Sequence, residues 1–448
     1  MKQSADSKHP SGQVLRWIRN SVILILCSAV IGTLLLILVS MIPQSAIYEN
    51  VMVSSEVLYE EGSYPNVFSG GRGSQLDNFT DGLMINTAYT SSGNLLEDAL
   101  LGTRIRYEDS DLDPMESLYA YLYENDDSYT IWTAYGRYWN GYQVYLKPLL
   151  TVLSYPHIRS LNMALQLTAM FALFYALMKK KQERLCIPVF VMWICLCPAA
   201  LFSSLQFASV YYPTIMLSIL LVWKHDRLLS MQRCMLFELC GIVVAYLDLL
   251  TYPLVSLGIP LILYFAMDYD SCRSVKERVI QGVSCSASWA AGYACMWASK
   301  WVIASVLTGE DVISNAISQI GVRTSHFDGD AGYTWFGVIF SNAANFLSMA
   351  VVCVVLAALI AFGVFLLKYK RVPINVPAVL AICVVCCFPF VWYLILMNHS
   401  GVHHWFTYRE LVISIFGVFA LLFVQLDTGT RRGVRSASGG GKAKHLKR

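Results

Sequence analysis

Long apolar segments divide this chain and constrain its fold more than any other feature of the sequence. Segments of about 17–25 apolar residues can cross the roughly 30 Å hydrocarbon core of a bilayer as helices. Charged residues make up only 14% of the 448 residues, against about 25% in an average soluble protein, which excludes a soluble enzyme. The pattern predicts an all-α polytopic membrane protein with ten spans, at approximately 19–43, 157–178, 185–203, 207–223, 234–250, 252–268, 279–305, 341–367, 373–397 and 407–426.

The basic residues predict how these spans are oriented. Of the 33 Lys and Arg residues, 24 lie in six short segments that alternate with the ten predicted spans. Because Lys and Arg accumulate in cytoplasmic loops, both termini are predicted to be cytoplasmic in a multi-pass protein of the cell membrane. The first span has no small-residue cleavage site and is expected to be an uncleaved anchor.

Acidic residues concentrate in the one long polar segment, residues 44–146. It carries 16 of the 30 Asp and Glu residues against four Arg, so we expect it to face the exterior and not to bind nucleic acid. None of the 13 cysteines lies in it. The predicted plan is a tail at 1–18, a first span at 19–43, an extracytoplasmic loop with juxtamembrane helices at 44–146, a bundle at 147–426 and a basic tail at 427–448.

Three stretches of this loop have sequence patterns that predict local structure. Apolar residues at helical spacing predict a helix within Gln75–Tyr89, and a second short helix is predicted at Pro114–Tyr123. The segment Tyr129–Leu150 is dense in Trp and Tyr. Such a segment is typical of the headgroup layer, where amphipathic aromatic rings collect, and we expect it to lie there before the second span.

Asp77 and Asp81 are the first candidate catalytic residues. Four residues apart on a helix, the two carboxylates share one face. Held near the exterior surface, they can act as a general base and as a ligand for an acceptor or a divalent cation. A plainer interpretation is that Ser74 and Asp77 form a capping box and only begin the helix.

Five cations are predicted to lie at the depth of the outer headgroups: Arg137, Lys147, Arg159, Lys300 and Arg409. Arginine and lysine bind phosphate through a bidentate fork and a point charge, respectively. We therefore predict a lipid-phosphate site at Arg137, Lys300 and Arg409. Interfacial anchoring of the side chains is the structural alternative.

Further polar residues are candidates for a cavity or an acceptor site. Asp248 lies near the outer end of a predicted span, where a carboxylate is costly, and Lys300 is its expected partner. His399, His403 and His404, with Tyr408, follow the ninth span and can hydrogen-bond a phosphate or sugar hydroxyl. Zinc binding by the histidines is a weaker interpretation, because no Cys lies near them.

The layout resembles the GT-C class of membrane glycosyltransferases, and in particular uncharacterised bacterial members of surface-polysaccharide loci. The resemblance covers residues 19–426 as topology, and the familiar stretches are Leu76–Ala88 (LDNFTDGLMINTA), Tyr135–Leu150 (YGRYWNGYQVYLKPLL), Leu247–Pro260 (LDLLTYPLVSLGIP) and Asn398–Arg409 (NHSGVHHWFTYR). In that class a catalytic carboxylate lies in the first exterior loop, which implies Asp77 or Asp81. Both lie farther from the first span than is usual there, so Glu56, Glu60 and Glu61 stay open as alternatives.

The resemblance implies transfer of a sugar from a polyprenyl phosphate in the outer leaflet to a cell-envelope glycan or similar acceptor. An exterior carboxylate would activate the acceptor, and cations would stabilise the departing lipid phosphate. A nucleotide site is not expected, because the sequence has no phosphate-binding loop motif. The competing interpretations are a polysaccharide polymerase or ligase, a transporter of lipid-linked glycan, and a non-catalytic assembly factor. On sequence alone, Asp81→Asn is expected to abolish transfer without loss of stability.

Overall fold

The computed structural model describes residues 10–108, 111–124, 128–133, 135–328, 331–369 and 372–426. Across these ranges the chain is predominantly helical, with only two short antiparallel strand pairs. The all-α prediction is therefore confirmed. Half of the predicted N-terminal tail, residues 1–9, and the whole of the basic tail at 427–448 lie outside the described residues.

Six of the described helical segments are long and apolar enough to cross a membrane, or seven if one bent pair of helices forms a single span. The chain is therefore a multi-pass membrane protein with a lipid bilayer around it. The six segments are Val14–Ser40, Tyr155–Lys179, Leu205–Lys224, Ser230–Leu247, Val376–Ile395 and His404–Val424.

The regular elements follow one another in a simple order. The helices are α1 (Pro10–Ser40), α2 (Tyr48–Glu61), α3 (Asn78–Tyr89), α4 (Leu95–Leu100), α5 (Pro114–Tyr119), α6 (Gln143–Leu150), α7 (Tyr155–Lys179), α8 (Cys186–Cys195), α9 (Pro198–Ser203), α10 (Leu205–Lys224), α11 (Ser230–Leu247), α12 (Val255–Met267), α13 (Val275–Thr308), α14 (Val312–Thr324), α15 (Trp335–Leu347), α16 (Ala350–Tyr369), α17 (Val376–Cys386), α18 (Phe388–Ile395), α19 (Met397–Val402), α20 (His404–Thr407) and α21 (Val412–Val424). The strands are β1 (Arg104–Arg106), paired with β2 (Thr130–Trp132), and β3 (Phe327–Asp328), paired with β4 (Ala331–Gly332). Single turns of tighter or wider helix occupy Gln44–Ala46, Arg72–Ser74, Ala120–Glu124, Glu183–Leu185 and Tyr408–Leu411.

Four predicted spans differ from the helices that form. The span at 185–203 is divided between α8 and α9, because Cys197 adopts a left-handed φ of 60° and a proline follows it. The span at 341–367 falls on α15 and α16, which meet at an angle of 89°. The span at 252–268 corresponds to the 13-residue α12, and the span at 279–305 lies inside the 34-residue α13. The number of ten spans stays a prediction.

The segment predicted to be the exterior loop, residues 44–146, folds as a helical unit that packs against the start of α7. Helices α2, α3, α5 and α6 share an apolar core with the first turn of α7. The aromatic segment before α7 is part of this packing, since Trp139 and Tyr142 are fully buried and the Trp139 indole donates to the Met296 carbonyl at 2.7 Å. The bundle provides an apolar surface that covers these two rings, and the depth of the segment in the headgroup layer stays a prediction.

Helices α11 and α13 approach each other through a reciprocal pair of glycines. A Cβ atom on Gly241 would lie 2.2 Å from the Trp289 carbonyl oxygen, and one on Gly292 would lie 2.2 Å from the Glu238 carbonyl oxygen. Small residues allow this closeness between membrane helices, whose association relies on van der Waals packing. The two glycines therefore set the distance between α11 and α13.

We expect Gly241→Ala to force these helices apart and to destabilise the protein by about 1–3 kcal/mol, the usual cost of overpacking. The measurement is the thermal unfolding midpoint of the purified protein in detergent. Gly321→Ala is the matched control, because nothing lies within 4 Å of a Cβ placed there. Equal midpoints for the two variants would contradict the assignment.

Candidate active site

A cavity of about 100 Å³ lies where the exterior loop meets the last third of the chain. It contains three of the predicted site residues, Asp77, His399 and His403. The other lining residues are Tyr64, Phe79, Thr80, Leu83, Tyr135, Tyr138, Gln206, Leu249, Arg323, Trp405 and Phe406. The wall is mostly aromatic and apolar with a few convergent polar groups, as is typical of a binding site for a small molecule.

Asp77 is the only carboxylate among the described residues that line this cavity. It caps α3, because its Oδ1 accepts a hydrogen bond from the Thr80 amide at 3.0 Å. Ser74 does not cap the helix; its hydroxyl instead bonds the Gly-rich turn at Gly71 and Phe68. Asp77 is 2% exposed. Burial raises its pKa from 3.8 to about 7, and the neighbouring Asp81 charge adds to the rise, whereas the Thr80 amide and the Arg409 charge oppose it.

Asp81 has different surroundings, although it lies four residues away. Its carboxylate is fully buried and accepts hydrogen bonds from the amides of Leu205 at 3.1 Å and Gln206 at 3.0 Å. The Tyr155 hydroxyl donates to the same carboxylate. Asp81 therefore caps the start of α10, where a negative charge also interacts favourably with the helix dipole. Of the predicted pair, Asp77 therefore lines the cavity, whereas Asp81 joins the loop to the bundle.

Arg323 faces the cavity from α14 and is held there by two histidines. Its Nη1 lies 3.1 Å from His399 Nδ1 and 2.9 Å from His403 Nε2. The guanidinium can only donate, so both ring nitrogens accept and both imidazoles are neutral. His399 carries its proton on Nε2, which donates to the Leu250 carbonyl at 2.8 Å.

Burial is the largest cause that keeps these histidines neutral. It lowers the pKa of His403 to about 3 and that of His399 well below its usual range, and the Arg323 charge acts in the same direction. The single positive charge of this cluster is therefore the guanidinium of Arg323. The same cavity is lined by one carboxylate of raised pKa, Asp77.

Aromatic rings form the remaining wall. Tyr64 packs its ring against Trp405 in an edge-on arrangement with a centroid distance of 5.6 Å, and against Phe79 at 6.1 Å. Arg137, a predicted phosphate-binding residue, does not line the cavity. Its guanidinium lies over the rings of two lining residues, Tyr135 at 4.8 Å and Tyr138 at 5.0 Å.

Asp248 and Lys300 do not form the predicted pair. Asp248 is buried in the turn after α11 and accepts from the amide and the hydroxyl of Thr251, at 2.8 and 2.5 Å. Burial raises its pKa to about 6. Lys300 is fully buried elsewhere, where its Nζ donates to the Leu100 carbonyl at 2.6 Å and lies 5.5 Å from the Trp139 ring centroid. Neither side chain lines the cavity, because each is held by its own local partners.

Arg409 and Tyr408 lie behind the cavity wall. The Arg409 guanidinium stacks over Phe207 at 4.1 Å, and the Phe207 ring in turn contacts Phe406 at 6.3 Å. Its Nε donates to the Leu196 carbonyl at 3.1 Å, whereas Nη1 and Nη2 have no hydrogen-bond partner among the described residues. The Tyr408 hydroxyl donates to the Gly73 carbonyl at 2.6 Å and so attaches the last span to the exterior loop.

The other candidates are also away from the cavity. His404 Nδ1 lies 2.5 Å from the Asn345 side-chain nitrogen. Glu61 is paired bidentately with Arg159, at 2.6 and 2.8 Å. Glu56 contacts the Tyr123 hydroxyl at 3.4 Å, and Glu60 is exposed. Over the part of the chain that the structure describes, no group of three or more His, Cys, Asp or Glu residues could hold a metal ion.

Arg323 is the functional candidate that sequence reasoning missed. It was recognisable as one of the nine basic residues outside the predicted cytoplasmic segments. Its position in a polar segment away from any predicted span does not distinguish it as a candidate. The contact with two histidines some 80 residues later along the chain is a tertiary feature with no local signal.

We expect Asp81→Asn to destabilise the protein, which revises the expectation from sequence. An asparagine amide would point an N–H at a donor of α10, so one hydrogen bond is lost at a cost of about 1–3 kcal/mol. Asp77→Asn is the matched control, since asparagine caps a helix as well as aspartate does. Thermal midpoints in detergent test this: a lowered midpoint for Asp81→Asn only is expected, and equal midpoints would contradict it.

Comparison of the chain with protein-family models, with curated proteins and with solved structures finds no match in any of the three. The cavity itself is therefore what indicates a function. Its chemistry is a buried carboxylate, a guanidinium held by two neutral histidines and a set of aromatic rings.

Proposed function

We propose that this protein is a GT-C-like membrane glycosyltransferase. It transfers a sugar from a polyprenyl-phosphate donor in the outer leaflet to a cell-envelope glycan or a similar acceptor. The observation that carries the proposal is a single cavity that is lined by Asp77, by Arg323 and by the aromatic rings of Tyr64 and Trp405. A base, a cation and stacking surfaces are the three groups that transfer from a lipid phosphate to a sugar hydroxyl requires.

Asp77 is the proposed general base. As the acceptor hydroxyl oxygen bonds to the anomeric carbon, its proton passes to the Asp77 carboxylate. The bond between the anomeric carbon and the phosphate oxygen breaks, and the electron pair leaves with the lipid phosphate. A base works best when its pKa is near the working pH, and burial places the pKa of Asp77 at about 7.

Arg323 is the proposed partner of the departing phosphate. The charge that develops on the leaving oxygen needs a fixed cation in a dry site. Two neutral histidines accept from Nη1 of Arg323 and hold its guanidinium in place at the cavity. Arg409 supplies a second positive charge behind the wall. That charge lowers the pKa of Asp77 and so opposes the effect of burial. This assignment replaces Lys300, which is buried against Leu100.

The topology is part of the same proposal. Ten spans, two cytoplasmic termini and a location in the plasma membrane of a bacterium place residues 44–146 and the cavity on the outer side. The alternation of basic segments with apolar ones supports this orientation. A donor flipped to that side arrives already linked to lipid, so no nucleotide is needed in the reaction.

We expect Asp77→Asn to abolish transfer while the fold is retained, because asparagine caps α3 but cannot accept a proton. Purified protein in liposomes, supplied with a panel of polyprenyl-phosphate sugars, provides the assay. The wild-type rate should rise with pH through about 7 as the carboxyl loses its proton. Full turnover in Asp77→Asn, or a wild-type rate that falls over this range, would refute the role.

The raised pKa also has a consequence for stability. The folded protein holds the Asp77 proton more tightly than the unfolded chain does, so this residue's contribution to stability declines as pH rises from about 4 to about 7. Asp77→Asn should remove that decline. The melting midpoints of wild type and variant are therefore expected to diverge in favour of the variant as pH rises.

We expect Arg323→Ala to weaken binding of a plain polyprenyl phosphate by about tenfold or more, since a hydrogen bond to a charged group contributes about 1.5–3 kcal/mol. Binding to the purified protein is the measurement, and it needs no knowledge of the sugar. Arg137→Ala is the control, because Arg137 stacks on lining residues without lining the cavity. Equal affinities for the two variants would remove Arg323 from the phosphate site.

A further inference from the structure

Helix α14 is too short to cross a bilayer, yet one of its faces is apolar and exposed. Its 13 residues, Val312–Thr324, span about 20 Å at 1.5 Å per residue, whereas the hydrocarbon core is about 30 Å thick. Apolar helices of this length are either buried core helices or segments in the membrane interface. The exposure of α14 decides between these two.

Three isoleucines form the exposed stripe. Ile313, Ile317 and Ile320 recur at the spacing of one helix face and are 38%, 61% and 48% exposed. Residues 312–322 contain no charged side chain. Branched apolar side chains in a row without charges are unfavourable in water, and such a stripe marks contact with lipid or with a partner.

The neighbouring face of α14 belongs to the protein. Val312 and Ala316 are buried, and Arg323, on the same face, reaches the cavity and its two histidines. The end of α14 is fixed to α19, because the Asn398 amide donates to the Ser325 carbonyl at 3.1 Å. Ser318 is exposed on a third face, away from both the protein and the isoleucines.

The preceding helix indicates what covers the stripe. At the end of α13 that joins α14, Val302 and Val306 are 52% and 76% exposed, as expected of side chains that face acyl chains. Only Gly309, Glu310 and Asp311 separate the two helices, and Gly309 turns the chain with a left-handed φ of 81°. Exposed apolar side chains therefore lie on both sides of this turn, at the end of α13 and along α14.

We propose that α14 lies in the plane of the membrane interface, with Ile313, Ile317 and Ile320 among the acyl chains of the leaflet on the cavity side. Its protein-facing side then forms the lipid-side wall of the cavity. Arg323 is carried by this wall at headgroup depth. A ligand phosphate attached to a lipid can therefore meet Arg323 without leaving the leaflet. The position of the helix follows from its own faces and is independent of the proposed transferase activity.

Photo-crosslinking in liposomes tests the position of α14. A benzophenone amino acid is placed at Ile317 in the full-length protein, at Ser318 as the matched control and at Val418, an exposed residue of a membrane span, as the lipid-facing reference. After irradiation, covalent adducts with phosphatidylglycerol or phosphatidylethanolamine are measured by mass spectrometry. We expect the adduct yield at Ile317 to approach that at Val418 and to exceed that at Ser318 at least about fivefold.

Two outcomes would overturn the proposal. The first is an adduct yield at Ile317 no higher than at Ser318, which would place the helix in water. The second is crosslinking of Ile317 to a second copy of the chain in place of lipid, which would make the stripe a protein interface. The measurement of lipid adducts does not require turnover. It can therefore fail while the Asp77 transfer assay succeeds, and it can succeed while that assay fails.

Discussion

The buried carboxylate of Asp81 is the interaction on which the cavity depends. It joins α3 of the exterior loop to the first amides of α10 and to Tyr155 at the start of α7. Three segments far apart in the chain therefore meet at one side chain. Because Asp77 caps the start of α3, this junction also positions the Asp77 carboxylate relative to Gln206, another residue that lines the cavity. A carboxylate that satisfies helix amides is well suited to the task, since its two oxygens accept several bonds at once.

Much of the fold was predictable from the sequence because the bilayer simplifies the problem. A helix that satisfies its own backbone is required in lipid, so apolar length alone identifies spans such as Tyr155–Lys179. Where the predictions differ, the cause is local backbone chemistry that averaged hydropathy does not detect. The left-handed Cys197 before a proline divides one apolar run into two helices. Similarly, tryptophan is a residue type typical of the membrane interface, but a neighbouring helix buries Trp139.

The site was predictable in part. Asp77 was identified as one of two carboxylates on one helix face, and His399 and His403 as polar residues that follow a predicted span. The structure brings these three to one cavity. The choice between Asp77 and Asp81 could not be made, since identical side chains four residues apart differ only in what lies across from them. Lys300 was likewise a charged residue near a predicted span, where a charge is costly, but its partner is a single backbone carbonyl. Arg323 depends on a contact with a distant helix, which periodicity does not reveal.

The bond from the Tyr408 hydroxyl to the Gly73 carbonyl joins residues 335 positions apart. It cannot form until the chain between them has been synthesised. At 5–20 residues per second, ribosomes need roughly 17–67 s to synthesise the stretch between them. During that interval the Gly-rich turn has left the membrane insertion machinery without its eventual docking partner. The cavity, which Trp405 and Phe406 also line, therefore cannot form before synthesis has reached the last span.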